Sequence, residues 1–206
     1  MPGRPRDPQK DLDVLQATRE LLVEAGYQAT TLVAIARRAG VGTPTIYRRW
    51  TRREALIEDA AFGQVEPAAI PEATGDLRVD LRAWVQTFLD YLADPVARAA
   101  FPGLLLAYQD DEGLYERLVT RSAHGVRALL TELLREYLAD MSPRRLTARA
   151  DAIFDFLVAT TTIRAMTLGS TGQDAFCDQT ADALTPLAYS AWQPRKAGRQ
   201  SRRAGR

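Results

Sequence analysis

Thr31 to Arg53 read TLVAIARRAGVGTPTIYRRWTRR. Two short stretches flank a glycine turn, and from Ile35 to Arg53 there are six arginines and no acidic residue. Leu32, Ile35, Ala36 and Ala39 follow the i, i+3, i+4, i+7 rule and predict the inner face of a first helix. Thr31 is its expected N-cap, although Ala34 at N3 leaves out the reciprocal half of a capping box. Gly40 can take the left-handed geometry that ends this helix, and Val41 can plug the core from the turn. Thr43 is expected to cap the second helix, with Pro44 at its first position, where a missing N–H costs nothing. Ile46 and Trp50, four apart, point inward, which leaves Thr43, Pro44, Thr45, Tyr47 and Arg48 outward. The competing reading is a helical hairpin with a solvated arginine face. The compact turn, the groove-sized polar residues beside a tyrosine and the one-sided charge favour a helix-turn-helix offered to a DNA major groove.

Outward from this stretch the pattern stays helical. A helix from about Lys10 to Gly26 carries Val14, Leu15, Leu21, Leu22 and Ala25 inward, bracing the other two. A fourth helix from about Arg52 to Gly63 turns Leu56, Ile57 and Ala60 toward them. Residues 14–57 resemble the DNA-binding domain of the TetR (tetracycline-repressor-like) family, ungapped over about a fifth of the chain. The resemblance lies in Ala25-Gly26-Tyr27, Thr30-Thr31, Ile35-Ala36, Ala39-Gly40-Val41, Thr45-Ile46-Tyr47, Trp50 and Arg53-Glu54. It implies phosphate contacts from Tyr47 and Arg53, base contacts from Thr43, Pro44, Thr45 and Arg48, and a place for Thr31 at the same DNA surface. Two positions depart from the pattern. Arg52 stands where a Ser or Asn cap is usual, and Arg53 replaces a lysine, a mild change because a guanidinium also binds phosphate.

Composition fits a cytoplasmic regulator. The 206 residues suit one small and one larger domain. Cys177 is alone, so no intrachain disulfide is possible. No apolar run reaches the roughly 18 residues of a membrane span, and the first residues, MPGRPRDPQKD, lack the apolar core of a signal peptide. The net charge of +1 conceals segregation: residues 1–53 hold ten Lys/Arg against five Asp/Glu, and residues 54–193 hold eleven against twenty-one. Residues 194–206 hold six basic and no acidic residues. A polyanion is drawn to the ends and repelled by the middle. Residues 1–9 read as a flexible basic arm whose Gly3-Arg4-Pro5-Arg6 also resembles arms that enter A·T-rich minor grooves. Residues 194–206 read as a disordered basic tail.

Residues 10–63 form the expected DNA-binding domain, residues 64–75 a linker with two prolines, and residues 76–193 a second helical domain. Expected helices there span Asp76–Ala93, two short pieces within Val96–Ala107 broken at Pro102-Gly103, Glu112–Ala139, Leu146–Leu168 and Asp174–Trp192. No strand pattern, internal repeat or long heptad run is present. The fold class is all-α, with about nine to ten helices. The last two helices carry more apolar residues than one core needs. The resemblance implies that they meet a second copy in a four-helix bundle, with Ile153, Phe154, Leu157, Val158, Thr161, Leu184, Leu187, Ala188 and Ala191 as the interface; the alternative is an ordinary buried hairpin. Pro186 is expected to kink the final helix.

The resemblance also implies a ligand cavity among the central helices, and Trp84, Phe88, Phe101, Leu105, Tyr108, Tyr115, Leu118 and Ser122 are its candidate lining. These residues serve equally as core filling. Few charges share their faces, which points to an apolar or aromatic effector. Catalytic readings lack support. His124, the one histidine, lies mid-helix, and Asp110, Asp111, Glu112 and Glu116 suit a helix start better than a metal. Cys177 has no basic activator in sequence, and no phosphate loop or nucleophile elbow occurs. No cofactor and no metal are expected. The expected function is a homodimeric regulator, a repressor released from a palindromic double-stranded DNA operator by a small molecule. The alternative is a helical binding module whose basic head has lost operator specificity.

Overall fold

The computed structural model describes residues 8–63, 71–110, 113 and 124–190, and among them it is all-helical. Nine helices are described: α1 Pro8–Ala29, α2 Leu32–Arg38, α3 Thr43–Tyr47, α4 Arg53–Phe62, α5 Leu77–Ala93, α6 Pro95–Asp110, α7 His124–Tyr137, α8 Pro143–Thr167 and α9 Gln173–Tyr189. The arm before Pro8, residues 64–70 of the linker and the basic tail lie outside the described residues.

Two apolar cores form. The smaller, here the head, gathers Val14, Ala17 and Leu21 of α1, Ile35 and Ala36 of α2, Ile46, Trp50, and Ala55 and Leu56 of α4. Ile35, Ile46 and Leu56 are fully buried, each worth about 1.5–3 kcal/mol of transfer free energy. The larger, the body, surrounds Leu81, Trp84, Val85 and Leu89 of α5, with α6 to α9 contributing Leu104, Leu130, Ile153, Leu157, Ala181 and Leu184. Ile57, Ala61 and Phe62 of α4 and Leu22 of α1 also belong to the body. Ile57 therefore does not face the small domain as its sequence position suggested: one residue after Leu56 it lies about 100° around the helix.

Other local expectations divide. Thr31 caps α2, its Oγ1 accepting from the Ala34 N–H at 3.2 Å, and Gly40 ends the α2 turn at φ 63°. Thr43 is instead the first residue of α3; Gly42 holds the cap position without a side-chain bond, and Pro44 follows one place later. α1 runs past Gly26, whose φ of 77° breaks it there. α6 continues through Pro102 rather than splitting. Pro102 and Arg98, the residue whose carbonyl loses its helical donor, are both exposed, so water can satisfy that carbonyl. α9 likewise runs through Pro186.

Charged clamps fix the start and end of the body. Asp76 caps α5, accepting from the N–H groups of Arg78 and Val79. Asp80, buried, accepts from Thr74 N–H at 2.9 Å, from Thr74 Oγ1 at 2.6 Å and from the Tyr137 hydroxyl, which in turn accepts from Gly75 N–H at 3.0 Å. Buried Arg149 of α8 donates to the carbonyls of Leu187 and Ser190 and to Ser190 Oγ, closing the end of α9. Burial, reinforced by the bond to Asp80, pushes the Tyr137 hydroxyl up to about 12 from its ordinary 10. Because the folded state holds that proton more tightly, the clamp contributes fully below about pH 10 and is lost as pH rises toward 12. Urea unfolding across that window is expected to show a stability decline that is shallower in Tyr137→Phe than in the parent.

Candidate nucleic-acid interface

α3 is a single turn and a half, too short to stand alone, so its geometry comes from its anchors. Ile46 is fully buried beneath it and Trp50 closes its far end. The Trp50 indole Nε1 donates to Asp59 Oδ2 of α4 at 2.7 Å, fixing the chain just beyond α3 to a neighbouring helix. What remains outside is Pro44, Tyr47, Arg48 and Arg49, with Thr43 and Thr45 half-buried at the edge and Thr31 exposed on the adjoining helix start. Tyr47 is 55% exposed, unusual for an aromatic in a protein with core to spare.

The six arginines of this region have different partners. Arg38 is held in a fork by Glu24, at 2.6 and 3.0 Å, and reaches Glu20 at 3.2 Å; these bonds raise its affinity for its proton further. Arg49 lies 3.7 Å from Asp11, and Arg52 lies 3.9 Å from Glu54. Arg53 is half-buried: Nε donates to Glu54 Oε1 at 3.1 Å, Nη1 donates to the Tyr27 carbonyl at 3.2 Å, and its guanidinium carbon sits 4.4 Å from the Tyr27 ring centre. Arg37 and Arg48 are exposed and have no acidic partner among the described residues. A phosphate reaching Arg53 must therefore compete with Tyr27 and Glu54, whereas one reaching Arg48 displaces only water.

Tyr27, whose hydroxyl is pushed up by burial against the opposing effect of Arg53, is a junction that sequence reasoning did not single out. Gly103 of α6 lies against it so closely that a Cβ there would come within 2.3 Å of the ring. Head helices α1 and α4 and body helix α6 thus meet at one aromatic ring. Gly103, expected from its place after Pro102 to mark a helix break, instead marks this close approach within a continuous α6.

Of the candidate ligand lining, the structure brings Trp84 and Phe88 together as a stacked pair, ring centres 6.2 Å apart, with Phe88 edge-on to Phe154 at 5.7 Å. Phe101 and Tyr108 are half-buried against the same core. Leu105 departs from expectation: it is exposed, because Leu104 takes the inward place on α6. Tyr115, Leu118 and Ser122 lie outside the described residues.

The proposed interface residues are also redistributed. Ile153, Phe154, Leu157, Thr161, Leu184 and Ala188 are buried within the chain itself, where the sequence reading had placed them at a surface between copies. Val158 and Leu187 are half-buried, and Ala191 lies outside the described residues. The exposed stripe of α8 is instead Phe156 (57%), Ala159, Thr160 and Ile163 (66%), with Ala175, Gln179, Ala183 and Pro186 exposed along α9. Phe156 and Ile163 were not among the residues the sequence reading selected, since which side of α8 is covered depends on where α5 and α7 pack. No group of acidic, histidine or cysteine side chains suited to a metal occurs among the described residues, and no described helix is long and apolar enough to cross a membrane.

Residues 14–60 match the family described as bacterial regulatory proteins, tetR family, and residues 71–184 match a tetracyclin repressor-like C-terminal domain. An uncharacterized HTH-type transcriptional regulator of Mycobacterium tuberculosis (strain ATCC 25618 / H37Rv), Rv1556, is 37% identical over 82 residues, which are 38% of this chain and 41% of that protein. The match to this curated relative thus spans less than half of its length. The crystal structure of a TetR family transcription regulator, SCO0332, superposes with a TM-score of 0.62 at 26% identity, covering 90% of this chain and 100% of the other. The fold is shared with the regulator FadR from Bacillus subtilis, solved in complex with stearoyl-CoA, at a TM-score of 0.60 and 20% identity over 88% of this chain and 99% of FadR.

Gly103→Ala is expected to lower stability by about 1–3 kcal/mol through overpacking against Tyr27. In thermal melts of the Tyr27→Ala background the same substitution should cost little or stabilise, since alanine favours helix.

Proposed function

This chain belongs to the tetR family of bacterial regulatory proteins, and on that footing we propose that it is a homodimeric, sequence-specific DNA-binding regulator, a repressor that a small apolar or aromatic effector releases from a palindromic operator. The observation that carries the reading is α3 itself, whose inner side is pinned by Ile46 and Trp50 while Tyr47 and Arg48 stand in solvent. Pro44, Thr43 and Thr45 supply the rest of the surface for base edges, and Tyr47 and Thr31 supply hydroxyls for phosphates. Arg48 is the cation best placed to serve DNA. Arg53 serves as a phosphate contact only once it leaves Tyr27.

One short helix reads few base pairs, so the reading needs a second copy, with half-sites about 34–36 Å apart or a multiple of that. Phe156, Ala159, Thr160 and Ile163 of α8, with the exposed stripe of α9, are the surface that fits this role; an apolar stripe of that length seldom faces water in a monomer. On this view residues 10–63 are the DNA-binding unit and residues 76–193 the effector and dimerisation unit. FadR, of the same fold, was solved with stearoyl-CoA, which supports a small-molecule effector that carries a long apolar part. The effector acts by its difference in affinity for two spacings of the heads, and α4, buried in both cores, is the element that links them.

Mobility shifts with the DNA upstream of the protein's own gene test the reading. Arg48→Ala is expected to weaken binding and reduce the salt slope by about one, whereas Arg38→Ala, already paired with Glu20 and Glu24, should leave the slope nearly unchanged. Equal slopes for both variants, or no sequence preference in the parent, would favour a helical binding module without operator specificity. Ile163→Glu is expected to give a monomer in light scattering at micromolar concentration with intact helicity; an unaltered dimer would remove α8 from the interface.

A further inference from the structure

Two hydrogen-bonding groups on one face of α5 have no partner among the described residues. Trp84 is 1% exposed, yet its indole Nε1 meets no acceptor, and the buried Tyr91 hydroxyl meets no partner either. A buried polar group without a partner is uncommon and costly, and it calls for a reason. Neighbouring buried charges show the usual outcome: Asp80 has three donors and Arg149 has three acceptors.

The positions are related by the helix. Trp84, Phe88 and Tyr91 stand at i, i+4 and i+7, so they share a face, with the outer two about 10 Å apart along the axis. Phe88 fills the interval, stacked on Trp84 and edge-on to Phe154 of α8. At the other end Tyr91 lies 6.2 Å, ring to ring, from Phe62, the last residue of α4. The result is an aromatic strip with a hydrogen-bonding atom at each end. An indole N–H can only donate, so whatever completes Trp84 must present an acceptor. The Tyr91 hydroxyl is neutral at physiological pH and burial pushes it further up; its proton is available to donate, as the indole N–H is.

We propose that this strip contacts the effector, and that the effector is an elongated, mainly apolar molecule with an acceptor oxygen or ring nitrogen for Trp84 and a second acceptor for Tyr91, two helical turns further along α5. The proposal rests on the effector-responsive reading above and adds the effector's chemistry. An apolar length suits the Phe88 ring between the two polar atoms, while the two acceptors satisfy donors that the described residues leave unpaired. Rejection of plain hydrocarbons follows, since they leave both donors orphaned. Occupancy at the Tyr91 end also touches the surroundings of Phe62, and so reaches the helix that carries the head.

The test uses the full chain and matched probes that differ only in oxygen: 4,4′-dimethoxybiphenyl and 4,4′-diethylbiphenyl, followed by longer and shorter ether and hydrocarbon pairs. Calorimetric titration is expected to show an ether preference of about tenfold or more in at least one pair, the size expected of one to two hydrogen bonds. Tyr91→Phe and Trp84→Phe should each cut that preference severalfold. Tyr91→Phe removes only an unpartnered hydroxyl, so its melting temperature should match or exceed the parent's, which keeps the result independent of Trp84→Phe folding. In ¹⁵N-labelled protein the Trp84 indole resonance, assigned by its absence in Trp84→Phe, should move downfield with the ether alone. Equal affinities within every pair, a preference unchanged in both variants, or binding of neither member of any pair overturns the proposal. If the ether binds through Trp84 and Tyr91 yet operator affinity does not change, the contact assignment stands and the effector role falls with the reading beneath it.

Discussion

Helix α4 must be buried on two sides at once, and the organisation of the chain follows from that constraint. Ala55 and Leu56 fill the head core, while Ile57, Ala61 and Phe62 fill the body core. A ten-residue helix has no face left for independent movement under these conditions. Polar contacts strengthen the arrangement: Arg19 of α1 donates to the Ala60 carbonyl at 2.6 Å, and Asp59 accepts from Trp50 at 2.7 Å. These contacts tie α4 to α1 and to the residue that closes α3. Tyr27, wedged against Gly103 of α6 and carrying Arg53 on its ring, provides a second mechanical link between the same two cores.

Charge is apportioned by the same packing. A run of arginines in sequence suggests a uniform cationic face, but the folded chain brings Asp11, Glu20 and Glu24 of α1 beside it. Such exposed pairs contribute little stability each. Their effect is on availability, because a guanidinium held by two carboxylates is a poorer phosphate ligand than one in water. Arg48 and Arg37 keep their charge for a partner, while Arg38 is spent within the head. The pattern narrows the cationic surface from the whole turn to its recognition side.

The phase of the body helices has a comparable origin. Arg78 and Arg82 of α5 pair with Asp174, Asp178 and Asp182 of α9, a ladder at successive turns that sets the rotation of one helix against the other. Arg149 closes the far end of α9 through three acceptors. On α8, Arg127 reaches across from α7 to Asp151 and Asp155 and lies over the Phe154 ring at 4.3 Å. Ile153, Phe154 and Leu157 are drawn inward by these neighbours, which turns Phe156 and Ile163 outward.

Much of the molecule was legible in its residues because the relevant signals are local. Helical periodicity, the Thr31 cap, the left-handed Gly40 and the Ile46–Trp50 spacing each depend on a few neighbouring side chains, so the head and the all-α class could be read directly. What the chain order could not convey was which of two adjacent apolar stripes on α8 would be covered, that Leu104 rather than Leu105 would turn inward, or that Arg38 and Arg53 would find partners in α1. Those outcomes depend on contacts between residues far apart in sequence, where a rotation of one residue, about 100° on a helix, exchanges inside for outside. Local chemistry determined the elements and the residues of the helix-turn-helix; tertiary packing decided which of its side chains stay exposed and unpaired, because burial and ion pairing are properties of neighbours that only the folded chain assembles.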